Sequence, residues 1–170
     1  NALGADVQGA GTNEIIINGV DRLEKAPKFR VMPDRIEAGT FLVAASMNHK
    51  NKVTIRNVRP SDLEQVLEKL EDMGVQFIIG EDFVQVKPPL KLKPVDITTM
   101  PHPGFPTDMQ AQMMTILAFT SGTSVVKETI FENRMNHARE LQKIGADIKV
   151  DKGVAIINGK KNVFGNTQYV

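Results

Sequence analysis

The chain has 170 residues, of which 41% are hydrophobic, so it is long enough to bury a core holding about two thirds of its unfolded surface. Its net charge is +1, with both signs interspersed, one Tyr and no Trp, which argues against a basic, aromatic-rich nucleic-acid face. No apolar run approaches the roughly 20 residues that cross a bilayer, no charged n-region with an apolar core suggests a secretory signal within these residues, and the lack of Cys removes disulfides and thiolate metal sites.

In chain order, Gly9-Ala10-Gly11-Thr12 lacks the phosphate-loop fingerprint and reads as a turn before a β run over Asn13–Ile17. A boundary is expected near Leu23 to Pro33. Asp34 can cap a following helix, with Glu37 completing a capping box. Helix is predicted over Ile36–Ser46, apolar almost all round and hence interior. A strand over Lys52–Asn57 precedes an amphipathic helix with Leu63, Val66, Leu67, Leu70 and Met73 on one stripe, opened by a capping box at Ser61 and closed at Gly74. Strands follow at Gln76–Ile79 and Phe83–Val86, then a stiff, basic surface crossover at Lys87–Pro94.

The stretch Met100 to Gln112 holds Pro101, Pro103 and Pro106, which keep the approach to the next helix extended. Thr107 is expected as N-cap with Gln110 three residues on, setting Asp108 in the first turn at the positive end of the helix dipole. A carboxylate there is either a dipole partner or a rigidly presented acid. The helix over Met109–Thr120 is again apolar all round, with Met109, Met113 and Met114 as core filler. A β run over Val125–Ile130 leads to a second amphipathic helix, Asn133 to Ala146, with Met135, Ala138, Leu141 and Ile144 on its stripe and Gly145 at its end. Strands at Asp147–Val150 and Val154–Ile157 complete the pattern.

Leu70, Met73 and Gly74 align with Leu141, Ile144 and Gly145 at about seventy residues' separation, an internal repeat. Interior helices with half-solvated alternating strands make an α/β (α+β) fold with helices inside and sheets outside. His49, His102 and His137 lack metal-ligand spacing, so no metal site is expected.

Pro101-His102-Pro103 through Phe105-Pro106-Thr107-Asp108-Met109-Gln110-Ala111-Gln112, together with Glu128-Thr129-Ile130-Phe131-Glu132-Asn133-Arg134, resembles the UDP-N-acetylglucosamine 1-carboxyvinyltransferases, a family of enolpyruvyl transferases. Asp6 to Thr12, Pro33 to Phe41 and Glu140 to Ala146 extend the likeness over nearly the whole chain. The resemblance implies an inside-out α/β barrel of repeated βαβαββ units. Residues 1–30 would end a repeat of a neighbouring domain, and 31–170 would form about two thirds of one domain, in repeats of about 31–100 and 101–170. It also implies a cytoplasmic enzyme moving the enolpyruvyl group of phosphoenolpyruvate onto the 3-hydroxyl of UDP-N-acetylglucosamine, the first committed step of peptidoglycan synthesis, with no cofactor. The expected partners are those two substrates and the missing second domain, with no nucleic acid and no membrane.

By the same resemblance Asp108 contacts the sugar and serves as base for its hydroxyl, the Ile130 backbone contacts the nucleotide sugar, and Asp34 lies near the cleft and hinge. Phe131 offers a ring to the sugar or packs in the core, and Arg134 holds a carboxylate or phosphate or is simply solvated. The family's Lys-Asn pair, its Cys or Asp proton donor and several cleft arginines have no counterpart, so the chain alone is expected to be inactive. A shikimate-pathway enolpyruvyl transferase and a non-catalytic nucleotide-sugar-binding module of the same fold are the alternatives.

Overall fold

A computed structural model describes residues 1–25 and 28–160, and the chain divides into two compact units, Asn1–Met32 and a second that begins at Pro33. Two parts of the sequence reading, the centre of the boundary at residues 26 and 27 and the end of the second repeat at 161–170, lie outside the described residues. In the first unit, β1 (Asp6–Gln8) and β2 (Ile16–Asn18) pair antiparallel. The Gly9–Thr12 segment is the expected turn, closed by the Thr12 N–H donating to the Gly9 carbonyl at 3.0 Å. Asn18 donates across the pair to Asp6 at 2.7 Å.

The second unit runs α1 (Arg35–Ser46), β3 (Val53–Arg56), α2 (Glu64–Asp72), β4 (Gln76–Ile79), β5 (Phe83–Lys87), β6 (Ile97–Thr98), α3 (Gln110–Ala118), β7 (Gly122–Lys127), α4 (His137–Lys143), β8 (Ile148–Asp151) and β9 (Val154–Gly159). One sheet has the order β3-β5-β4, all antiparallel; the other has the order β6-β7-β9-β8, with only β6 and β7 parallel. Period-2 alternation turns Val84 and Val86 of β5, and Ala155 and Ile157 of β9, into the core. Both sheets cover helices with one face, and α3 is buried on nearly every side by Met113, Met114, Ile116, Leu117 and Ala118.

The stripe of α2 is buried as expected, at Leu63, Val66, Leu67, Leu70 and Met73. Gly74 and Gly145 both adopt φ 95, and both helix ends close alike: Val75 N–H reaches the Leu70 carbonyl and Ala146 N–H the Leu141 carbonyl.

Several local expectations fail for identifiable reasons. The Ser61 capping box does not form, because Pro60 at the first position starts a 3-10 turn over Pro60–Leu63 with no side-chain cap. Helix α4 begins only at His137, since Asn133 sits at φ 55 and breaks the helical path. Ile144 is the residue at which α4 ends rather than a member of its buried stripe, and it is 42% exposed. Strand β7 starts at Gly122 and stops at Lys127, short of Ile130. Helix α1 is not wholly interior: Leu42 and Val43 are buried, but Phe41 is 58% exposed.

The end of β9 lies hard against the C-terminus of α3, where a Cβ at Gly159 would come within 1.9 Å of the Thr120 carbonyl oxygen and 2.2 Å of that of Leu117. Neither oxygen can swing aside as a side chain would. Gly159→Ala should therefore cost at least about 1–3 kcal/mol, read as a lowered urea midpoint. A second prediction concerns His137, half-buried at the start of α4 with Nε2 3.0 Å from the Met114 sulfur. Burial pushes its pKa below the ordinary 6.5, and the Arg134 charge adds to this, against a backbone hydrogen bond at Arg134 that favours the charged ring. The unfolded chain thus binds its proton first, so stability is complete above about pH 6.5 and falls as the pH drops below it. Melting temperatures should show that decline between pH 7 and 5, and His137→Gln should flatten it.

Candidate active site

The approach to α3 is not extended. Gly104 N–H donates to the Pro101 carbonyl at 2.8 Å and Met100 N–H to the Phe105 carbonyl at 3.0 Å, closing a loop plugged by buried Phe105. The chain leaves it at Pro106 and enters a 3-10 turn, Thr107–Met109, that precedes α3. Asp108 lies in this turn, 47% exposed at its side chain.

Thr107 is not an N-cap and forms no capping box with Gln110. Both side chains turn instead to one buried carboxylate. Thr107 Oγ1 donates to Glu128 Oε2 at 2.7 Å and Gln110 Nε2 donates to the same oxygen at 2.5 Å. The other oxygen, Oε1, accepts from Thr99 Oγ1 at 2.9 Å and from the backbone N–H groups of Ile130 and Phe131 at 2.8 and 3.1 Å. Glu128 is only 8% exposed. Burial pushes its pKa up, but the donors from Thr107, Ile130, Thr99 and Phe131 together outweigh burial and hold it below the ordinary 4.5.

Beyond Glu128 the chain turns through Asn133 at φ 55, a conformation Asn tolerates better than most residues. The turn brings the Arg134 guanidinium over the Phe131 ring, 5.1 Å from its centroid, and within 2.5 Å of Asp108 Oδ1. Phe131 is thus not core packing: it is 53% exposed. Arg134 is not merely solvated either, being paired and stacked.

Of the residues singled out in the sequence, Asp108, Ile130, Phe131 and Arg134 therefore belong to one neighbourhood. Asp34 does not join them. Its Oδ1 accepts from the Ile36 and Glu37 N–H groups at 2.8 and 3.1 Å, as an N-cap. It also lines a cavity of about 310 Å³ with Phe41, Arg56 and Asn57. Glu128 went unnoticed in the sequence as a site residue, although strand parity marks it: Ser124, Val126 and Glu128 are alternate residues and all are buried. Among the described residues no group of three His, Asp or Glu could hold a metal ion, and no helix is long and apolar enough to cross a membrane.

The arrangement offers a carboxylate that can orient or deprotonate a hydroxyl, a cation for an anionic group, and an exposed ring, on a floor fixed by Glu128. Comparison with known proteins identifies the family. A family model described as EPSP synthase (3-phosphoshikimate 1-carboxyvinyltransferase) matches residues 1–168. The chain is 50% identical over 165 residues to a UDP-N-acetylglucosamine 1-carboxyvinyltransferase of Desulfofundulus thermocisternus, covering 97% of this chain and 68% of the relative. It is 46% identical over 164 residues to the protein of that name from Campylobacter lari, covering 95% of this chain but only 39% of the relative. Among solved structures, the enolpyruvyl transferase NikO from Streptomyces tendae superposes with a TM-score of 0.82 at 28% identity, over 93% of this chain and 38% of that one. The EPSP synthase from Acinetobacter baumannii shares the fold, with a TM-score of 0.69 at 23% identity, over 94% of this chain and 39% of that one. The chain belongs to the EPSP synthase family of enolpyruvyl transferases.

Proposed function

We propose that the chain is a segment of a UDP-N-acetylglucosamine 1-carboxyvinyltransferase that carries the sugar-contacting half of its cleft. The observation that carries this reading is the pairing of Asp108 with Arg134 beside the exposed Phe131 ring, on a single rigid floor. The names of the relatives at 50% and 46% identity support this substrate over shikimate 3-phosphate.

In the reaction the sugar 3-oxygen bonds to C2 of phosphoenolpyruvate while the neighbouring enol CH₂ carbon gains a proton; that carbon then loses a proton, the double bond re-forms, and the C2–oxygen bond to phosphate breaks to release phosphate. Asp108 orients the 3-hydroxyl and receives its proton. Arg134 moves from Asp108 to an incoming phosphate or carboxylate, for which its planar fork is suited. Phe131 packs against the sugar face. The Ile130 N–H is occupied by Glu128, so its contact with the nucleotide sugar falls to the carbonyl oxygen, an acceptor. Asp34 acts at the edge of the cleft near the hinge rather than at the reacting atoms.

Residues 1–30 end a repeat of the neighbouring domain, and 31–170 form repeats of about 31–100 and 101–170 within an inside-out barrel that a further βαβαββ unit closes. The exposed face of α1 at Phe41 is then covered. The enzyme works in the cytoplasm at the first committed step of peptidoglycan synthesis, and the isolated segment, lacking a proton donor for the enol carbon, is inactive. In the full-length enzyme Asp108→Ala should lower kcat by at least about 10²–10⁴-fold with an unchanged melting temperature. Near-normal turnover in a steady-state phosphate-release assay would refute the role of Asp108.

A further inference from the structure

Glu128 is a buried ionisable group that touches none of the reacting groups assigned above, yet its two oxygens are divided between the two segments that carry them. Oε2 accepts from Thr107 and Gln110, which bracket Asp108. Oε1 accepts from the Ile130 and Phe131 amides, which begin the loop bearing Arg134. Thr99, just after β6, donates to Oε1 at 2.9 Å and accepts twice from Thr129, from its N–H at Oγ1 and from its hydroxyl at the Thr99 carbonyl.

We propose that Glu128 is a positioning residue for the transfer reaction, its carboxylate setting the spacing between the turn that carries Asp108 and the loop that carries Ile130, Phe131 and Arg134. The inference rests on the reading of Asp108 given above. Five donors converge on this carboxylate, and the packed strand β7 holds its backbone. The Glu128 N–H is itself anchored to the Gly153 carbonyl at 2.8 Å. The exposed Asp108–Arg134 pair is a weak clamp by comparison, since surface pairs of this kind are readily exchanged with water. Without Glu128 the turn and the loop lose the buried acceptor they share, and a displacement of about 1 Å between reacting groups costs about a hundredfold in rate.

Met and Gln both match Glu in length, which separates positioning from space filling. Glu128→Met leaves five donors without an acceptor. Glu128→Gln keeps one amide oxygen as acceptor, and the Thr107 hydroxyl and Gln110 amide can turn to accept from its NH₂. In the full-length enzyme Glu128→Met is expected to lower kcat about a hundredfold, with KM for UDP-N-acetylglucosamine within about threefold of wild type. Glu128→Gln should recover roughly tenfold of that loss. Equal, near-normal kcat in both variants would overturn the proposal, as would a loss that merely follows a fall in melting temperature. Should Glu128→Met fail to fold, Glu128→Gln decides: a deficit of roughly tenfold at normal melting temperature supports positioning, and normal kcat defeats it. Asp108→Ala run alongside identifies which idea fails. If that variant turns over normally, the reading of Asp108 is wrong and the proposal falls with it; if it is dead while both Glu128 variants are normal, only the proposal falls.

Discussion

One buried negative charge organises this half-site. Removing a carboxylate from water costs several kcal/mol unless its lone pairs are met, and here two oxygens meet five donors from hydroxyl, amide and main-chain groups. Hydrogen bonds to a charged group contribute about 1.5–3 kcal/mol each, so the cage offsets the burial. The visible ion pair above it, Arg134 to Asp108, lies more than a third exposed on both sides and is worth about 0–1 kcal/mol. The two segments are therefore tied together from beneath by Glu128, while the Asp108–Arg134 pair above it stays open to solvent.

The same comparison explains why part of the sequence was easy to read and part was not. The α2 stripe and the two left-handed glycines at 74 and 145 follow from periodicity and backbone sterics, which act within a few residues and outlast tertiary context. The capping boxes at Ser61 and Thr107 failed because a cap is one option among several for a hydroxyl. Pro60 offered a different first turn, and Glu128 offered Thr107 and Gln110 a charged acceptor 18 to 21 residues away. Nothing local to Thr107 signals that partner.

Four of the five expected site residues come together because they sit on two segments joined at Glu128, whereas Asp34 stands at the start of another helix, where its carboxylate satisfies two backbone N–H groups. The resemblance set Asp108 and Arg134 in separate motifs, and their pairing depends on the turn at Asn133. That turn was hidden because Asn133 also reads as the start of a helical stripe.

The contacts made by Glu128 to the loop are to peptide N–H groups at positions 130 and 131 rather than to the side chains there. Any residue except proline supplies that N–H. The frame beneath the loop is thus indifferent to which side chains positions 130 and 131 display, and those two can change while their anchoring amides stay in place.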